Sequence, residues 1–85
     1  MNDDIDQTLR RILADVLGLS AERVAGFTAG TGLFGHLPEL DSMSVAGLLT
    51  EMEDRLHFII EDDEVDGELL ETYGSLLAFA RAKLA

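Results

Sequence analysis

The stretch Asp41-Ser42-Met43-Ser44-Val45-Ala46-Gly47-Leu48-Leu49-Thr50-Glu51-Met52-Glu53-Asp54-Arg55-Leu56-His57 decides how the chain is organised. Val45, Leu48, Leu49, Met52 and Leu56 recur at the spacing of one helical face. The spacing predicts a helix over 42–57 with that face inward. Asp41 or Ser42 can accept the free N–H groups at its start. Met43, Gly47, Thr50 and Asp54 form a second stripe at i, i+4, i+7 and i+11. Glu51 and Arg55 are placed for an i, i+4 ion pair worth only about 0.3–0.5 kcal/mol. His57 falls in the last turn, where its charged form suits the helix dipole.

Toward the N-terminus, Ile5, Leu9, Ile12, Leu13 and Val16 predict an amphipathic helix over 4–17. Asp3, Asp4 and Asp6 suit its positive end, and Gly18 is a natural stop. Residues 18–40 contain Gly18, Gly26, Gly30, Gly32, Gly35 and the single Pro38. They read as a long connection with one short helical turn, pinned by Leu19, Val24, Phe27, Leu33, Phe34 and Leu37. Toward the C-terminus, residues 63–70 read as a short helix with Asp62 near its cap and Val65 and Leu69 inward. A last helix over 73–84 follows, capped by Thr72. Its inward face is Tyr73, Leu76, Leu77, Ala80 and Leu84, and Arg81 and Lys83 suit its negative end. No segment shows strand alternation. The expectation is an all-α, four-helix bundle with a long first loop and a short third helix.

Composition narrows the function. The 85 residues carry 17 acids against 6 bases, for a net charge of −11. That length is one domain spanning 1–85, and a 47% hydrophobic content is too high for a disordered acidic tail. Twelve of the 17 acids lie between Glu39 and Glu71, where Arg55 is the only base. Phosphate recognition needs clustered Lys and Arg, so nucleic acid is disfavoured, as is an anionic membrane surface. With no cysteine, the polypeptide has no disulfide, zinc–thiolate site or thiol nucleophile of its own. No apolar run reaches the roughly 20 residues of a membrane span. The N-terminus lacks the basic start and apolar run of a signal peptide, so cytoplasmic residence is the expectation; a monomer is expected as well.

Three motif matches compete. Gly30-Thr-Gly32-Leu-Phe-Gly35 has the spelling of a dinucleotide loop but no room for the strand–turn–helix context it needs. Asp62, Glu64, Asp66 and Gly67 match positions 1, 3, 5 and 6 of a calcium loop. Position 12 is Tyr73 rather than a bidentate glutamate, which favours an acidic short helix and no metal site. The third match is Asp41-Ser42-Met43. A serine there presents its hydroxyl at the positive end of a helix, where a phosphate ester is electrostatically favoured.

The chain resembles an acyl carrier protein over nearly its whole length. Val16-Leu17-Gly18-Leu19 and Glu22-Arg23-Val24 resemble the end of that family's first helix and the start of its loop. Asp41-Ser42-Met43 resembles its Asp-Ser-Leu attachment motif. Leu48, Met52, Leu56 and Ile60 fall on its second-helix core. Glu61-Asp62-Asp63-Glu64 resembles the acidic approach to its third helix, and Thr72-Tyr73 with Leu76 the start of its fourth. Met43 replaces leucine, a volume-conserving change. Leu37-Pro38-Glu39-Leu40 replaces a glycine-containing approach. Gly47 stands where many members have a glutamate, and Thr50 where many have an apolar residue. These departures resemble discrete, specialised bacterial carriers of exported-polymer or secondary pathways.

The resemblance implies a covalent 4′-phosphopantetheine arm on Ser42, flanked by Asp41 and Met43 and installed by a phosphopantetheinyl transferase. It also implies acyl-transferring, acyl-activating or condensing enzymes as partners in fatty-acid, polyketide or related biosynthesis. Their basic patches would meet Glu39, Asp41, Glu51, Glu53 and Asp54, with Met43, Gly47 and Thr50 in close contact. No enzyme activity is implied: nothing near Ser42 forms a catalytic set, His36 is a loop residue and His57 a helix-end residue. Ser44, one step further in, reads as a solvent-facing hydroxyl. Two other readings stay open: an acidic helical adaptor for a basic partner with no prosthetic group, and an acidic cation sensor.

Overall fold

The computed structural model describes residues 2–84, with the side chains of Asn2 and Asp3 outside the described residues, so the role expected of Asp3 lies outside them too. Four α-helices are present among the described residues: α1 (Asn2–Leu17), α2 (Ala21–Ala25), α3 (Ser42–Leu56) and α4 (Tyr73–Leu84). A single 3-10 turn spans Asp62–Glu64. Helix α1 is the hub and touches α2, α3 and α4. Among the described residues no helix is long and apolar enough to cross a membrane.

The core follows the helical periods. Leu9, Ile12 and Leu13 of α1 meet Leu48 and Met52 of α3 and Tyr73, Leu76 and Ala80 of α4, all essentially sealed from solvent. Full burial of a leucine-sized side chain contributes about 1.5–3 kcal/mol. Ile5, Val16, Val45, Leu49 and Leu77 sit at the margin of these faces, half-buried. Leu84 was expected inward but is 39% exposed, at the last described turn of α4. Helix α1 stops as its sequence predicts. Gly18 takes φ +69° and the Leu19 amide donates to the Ala14 carbonyl at 3.0 Å, an end that favours glycine.

Two connections depart from expectation. The helix predicted over 63–70 shrinks to the Asp62–Glu64 turn. Glu61 and Glu64 form a reciprocal capping box, Val65 is extended, and Asp66 Oδ1 accepts from the Leu69 amide at 2.9 Å. Side-chain bonds of this kind offer the backbone an alternative to a helix. Lys83 helps hold the turn through a 2.6 Å pair with Glu64.

The long first loop is held by more than its apolar side chains. It pairs antiparallel with residues 70–74 around a bridge between Gly32 and Thr72. Leu33 donates to Glu71 and Phe34 to Leu70 at 3.0 and 2.9 Å; in return Tyr73 donates to Thr31 and Gly74 to Ala29 at 2.8 and 3.0 Å. Gly74 permits this approach, since a Cβ there would stand 2.7 Å from the Ala29 carbonyl oxygen. Leu19, Val24, Phe27 and Leu33 are buried as expected, and Leu37 is half-buried. Phe34 is not a core anchor: it is 47% exposed, because Leu33 takes the inward side of this paired segment.

Candidate functional site

The start of α3 is built around Ser42 by two polar side chains, those of Asp41 and Ser44. Asp41 is the N-cap, extended at φ −112°, ψ −176°, and its Oδ1 accepts from the Ser44 amide at 2.9 Å. That bond holds the Asp41 carboxyl below its ordinary range, so it is ionised at neutral pH. Ser44 is not solvent-facing as expected. It is half-buried and its hydroxyl donates to the Glu39 carbonyl at 3.0 Å, because the chain folds back over this turn before entering α3. Ser42 is the first helical residue, exposed, and takes part in neither bond.

Ser42 stands on the rim of a cleft of about 340 Å³ lined by Phe34, Val45, Val65, Asp66, Gly67 and Leu70 as well. Phe34 and Leu70 are neighbours across the loop pairing, so two apolar walls are fixed together. An exposed hydroxyl at a helix's positive end, beside a mainly apolar cleft, fits a phosphate ester with an extended arm.

The remaining sequence-predicted residues divide in two. Met43 (85% exposed), Gly47, Thr50 and Asp54 keep their common stripe on the outer face of α3. Gly47 and Thr50 also line a groove of about 510 Å³ with Asp15, Val16, Glu51 and Arg55. The acids Glu39, Glu51 and Glu53 already have bonds within the molecule. Glu39 pairs with Arg23 at 2.6 Å, and the Arg23 bond holds its carboxyl below the ordinary range. Glu51 pairs with Arg55 at 2.8 Å, and Arg55 also reaches Asp15 across to α1 at 2.8 Å. Glu53 Oε2 accepts from the Ile60 amide at 2.8 Å and fastens the turn after α3. His57 is the residue that ends α3, in the left-handed region at φ 60°, rather than a member of its last turn. His36 lies in the loop, its ring covering Gly32.

Sequence reasoning missed the cleft walls Phe34, Val65 and Leu70. The available signal was the pair Leu33-Phe34 between two glycines. If one of two adjacent apolar residues points inward, the other faces out. Among the described residues no group of three or more His, Asp or Glu is placed to hold a metal ion.

Comparison with known proteins bears on the family and the fold. The family described as phosphopantetheine attachment site matches residues 7–82. A search of curated proteins gives no match. Among solved structures, the solution NMR structure of a holo acyl carrier protein from Nitrosomonas europaea is 42% identical over 94% of each chain, with a TM-score of 0.84. A carrier of this kind takes a covalently attached 4′-phosphopantetheine and is not an enzyme. A helical fold built on one hub helix, an uncommitted serine at a helix start and these two matches together place the chain in the acyl carrier protein family.

Proposed function

We propose that the arm is attached to Ser42 Oγ and that the chain carries acyl groups for partner enzymes of fatty-acid, polyketide or related biosynthesis. One observation carries the assignment of the residue. Of the serines, Ser20 caps α2 by accepting from Arg23, Ser44 donates to Glu39, and Ser75 bonds to Leu69 and Thr72. Ser42 alone keeps its hydroxyl uncommitted and exposed. When bound, the arm supplies a thiol on which acyl groups are held as thioesters, a group the cysteine-free chain lacks. Asp41 keeps the serine on the first turn, and Met43 stands exposed beside it for contact with the transferase.

Docking of basic partner surfaces falls to the outer stripe of α3. Met43, Gly47 and Thr50 offer contact, and Asp54, exposed and outside the ion pairs, offers free charge. Glu39, Glu51 and Glu53 contribute less to steering, since their charges are partly answered within the molecule. The specialised Leu-Pro-Glu-Leu approach to the motif favours a dedicated enzyme set over a housekeeping one.

The test is intact mass spectrometry after incubation with coenzyme A and a broad-specificity phosphopantetheinyl transferase. Wild type gains one phosphopantetheine mass and Ser42→Ala gains none. Wild type that stays unmodified with several transferases overturns the proposal, and a modified Ser42→Ala overturns the choice of residue.

A further inference from the structure

The turn that presents Ser42 is tied back to the hub helix through an unbroken series of side-chain bonds. Arg10 of α1 donates to the Val24 carbonyl and, at 3.0 Å, to the Phe27 carbonyl, which holds α2 and the chain after it. From α2, Arg23 reaches 16 residues along the chain to Glu39 Oε2 at 2.6 Å. The carbonyl of that same Glu39 takes the Ser44 hydroxyl at 3.0 Å. Glu39 Oε1 is buried with no hydrogen-bond partner, while Oε2 meets Arg23 at the surface, where the Glu39 side chain is 32% exposed. A five-residue helix such as α2 is too short to be stable alone. Buried Val24 anchors it to the core, and its exposed side brings Arg23 to Glu39.

Resting on the assignment of Ser42 as the attachment residue, we propose that Arg23, Glu39 and Ser44 are positioning residues for the transfer reaction: they brace the first turn of α3 so that the Ser42 hydroxyl is presented in one orientation. In that reaction Ser42 Oγ attacks the pantetheine-side phosphorus of the coenzyme A diphosphate, a phosphodiester forms there as the bridging P–O bond breaks, adenosine 3′,5′-bisphosphate leaves, and the hydroxyl proton passes to the transferase. None of the three residues takes part in that exchange. Their contribution is geometric, through a nucleophile whose backbone does not have to be ordered during attack.

The charges make the brace separable from steering. Arg23→Met makes the chain more negative and Glu39→Met makes it less so. A steering role moves KM in opposite directions in these two variants. A brace lowers kcat in both.

The experiment measures kcat and KM of phosphopantetheine transfer to wild type, Arg23→Met, Glu39→Met, Ser44→Ala and Ser44→Thr. The first three variants are expected to lose kcat by about fivefold to tenfold, the size of one net hydrogen bond, with little change in KM. Ser44→Thr keeps a hydroxyl and is expected within about twofold of wild type on the same reasoning. Full kcat in Ser44→Ala, a loss confined to KM, or a threonine variant no better than alanine overturns the brace. Should Ser44→Ala fail to fold, the opposite-charge pair Arg23→Met and Glu39→Met decides by the same criteria. Wild type that accepts no arm overturns the Ser42 assignment and the brace together. Normal modification at Ser42 with unaffected variants overturns the brace alone.

Discussion

Tyr73 holds together parts of the chain that are far apart in sequence. Its hydroxyl donates to Asp6 Oδ1 at 2.5 Å and lies 3.1 Å from the Asp6 carbonyl. Arg10 lies over its ring at 4.7 Å and bonds Asp6 at 3.0 Å, and Phe27 packs against it at 5.8 Å. Burial pushes the tyrosine pKa well up, and the Asp6 bond pushes it further. For Asp6, burial alone would raise the carboxyl, but the bonds from Tyr73 and Arg10 outweigh it and hold it low. The two groups therefore act at opposite ends of the pH scale. Asp6, depressed when folded, stabilises above its unfolded pKa near 3.8 and loses that contribution as pH falls. Tyr73, raised when folded, stabilises below its unfolded pKa near 10.0 and loses that contribution as pH rises past it. Replacing Tyr73 by Phe is expected to cost about 1–2 kcal/mol at neutral pH. It is also expected to flatten the stability decline as pH rises above about 10. Urea melts across that range check both, and an equally steep decline in the variant would refute the assignment. The sequence places Tyr73 on an inward face, but a helical period cannot reveal that its hydroxyl meets an aspartate 67 residues away.

At the scale of elements, helices and connections differ in how much their own residues dictate. Helices α1, α3 and α4 fall within about two residues of the spans that hydrophobic period and caps predict. Thr72 caps α4 as expected, accepting from the Ser75 amide at 3.1 Å. The 63–70 segment fails as a helix because its acids bond to nearby amides, a competition that period alone does not weigh. The loop pairing around Gly32 and Thr72 was equally hidden, since it joins segments some 40 residues apart by backbone atoms alone. One helix end is left suboptimal. His57 sits at φ 60°, where a side chain is strained and glycine is not. Its amide bond to the Glu53 carbonyl at 3.0 Å is a backbone bond that glycine would keep. His57→Gly is therefore expected to gain about 1 kcal/mol, seen as a raised Tm. A lowered Tm would mean the imidazole makes a contribution that the helix end does not explain.

For the whole molecule, the charge of −11 is the dominant stress. Arg10, Arg23, Arg55 and Lys83 are already paired with acids. Asp54, Asp62, Asp63, Glu68 and Glu71 are exposed acids outside these pairs. Their mutual repulsion is screened by salt over about 10 Å at 0.1 M. Raising sodium chloride from low to moderate concentration is expected to stabilise the fold by about 1 kcal/mol, which raises Tm by roughly 4–8 °C in a domain of this size. Thermal melts at two salt concentrations check it; a Tm that falls would show that the ion pairs outweigh the repulsion. By itself the sequence determined the helical class, the three long helices, the excess of acid and the serine at a helix start, because periodicity, caps and charge are local properties of a chain. Only the tertiary structure decided that Ser42 is the serine left free, that Glu39 and Glu53 are engaged, and that Phe34 and Leu70 wall a cleft beside it. Those outcomes depend on which distant groups claim each hydrogen bond and each buried position, and that competition is settled only when the chain closes on itself.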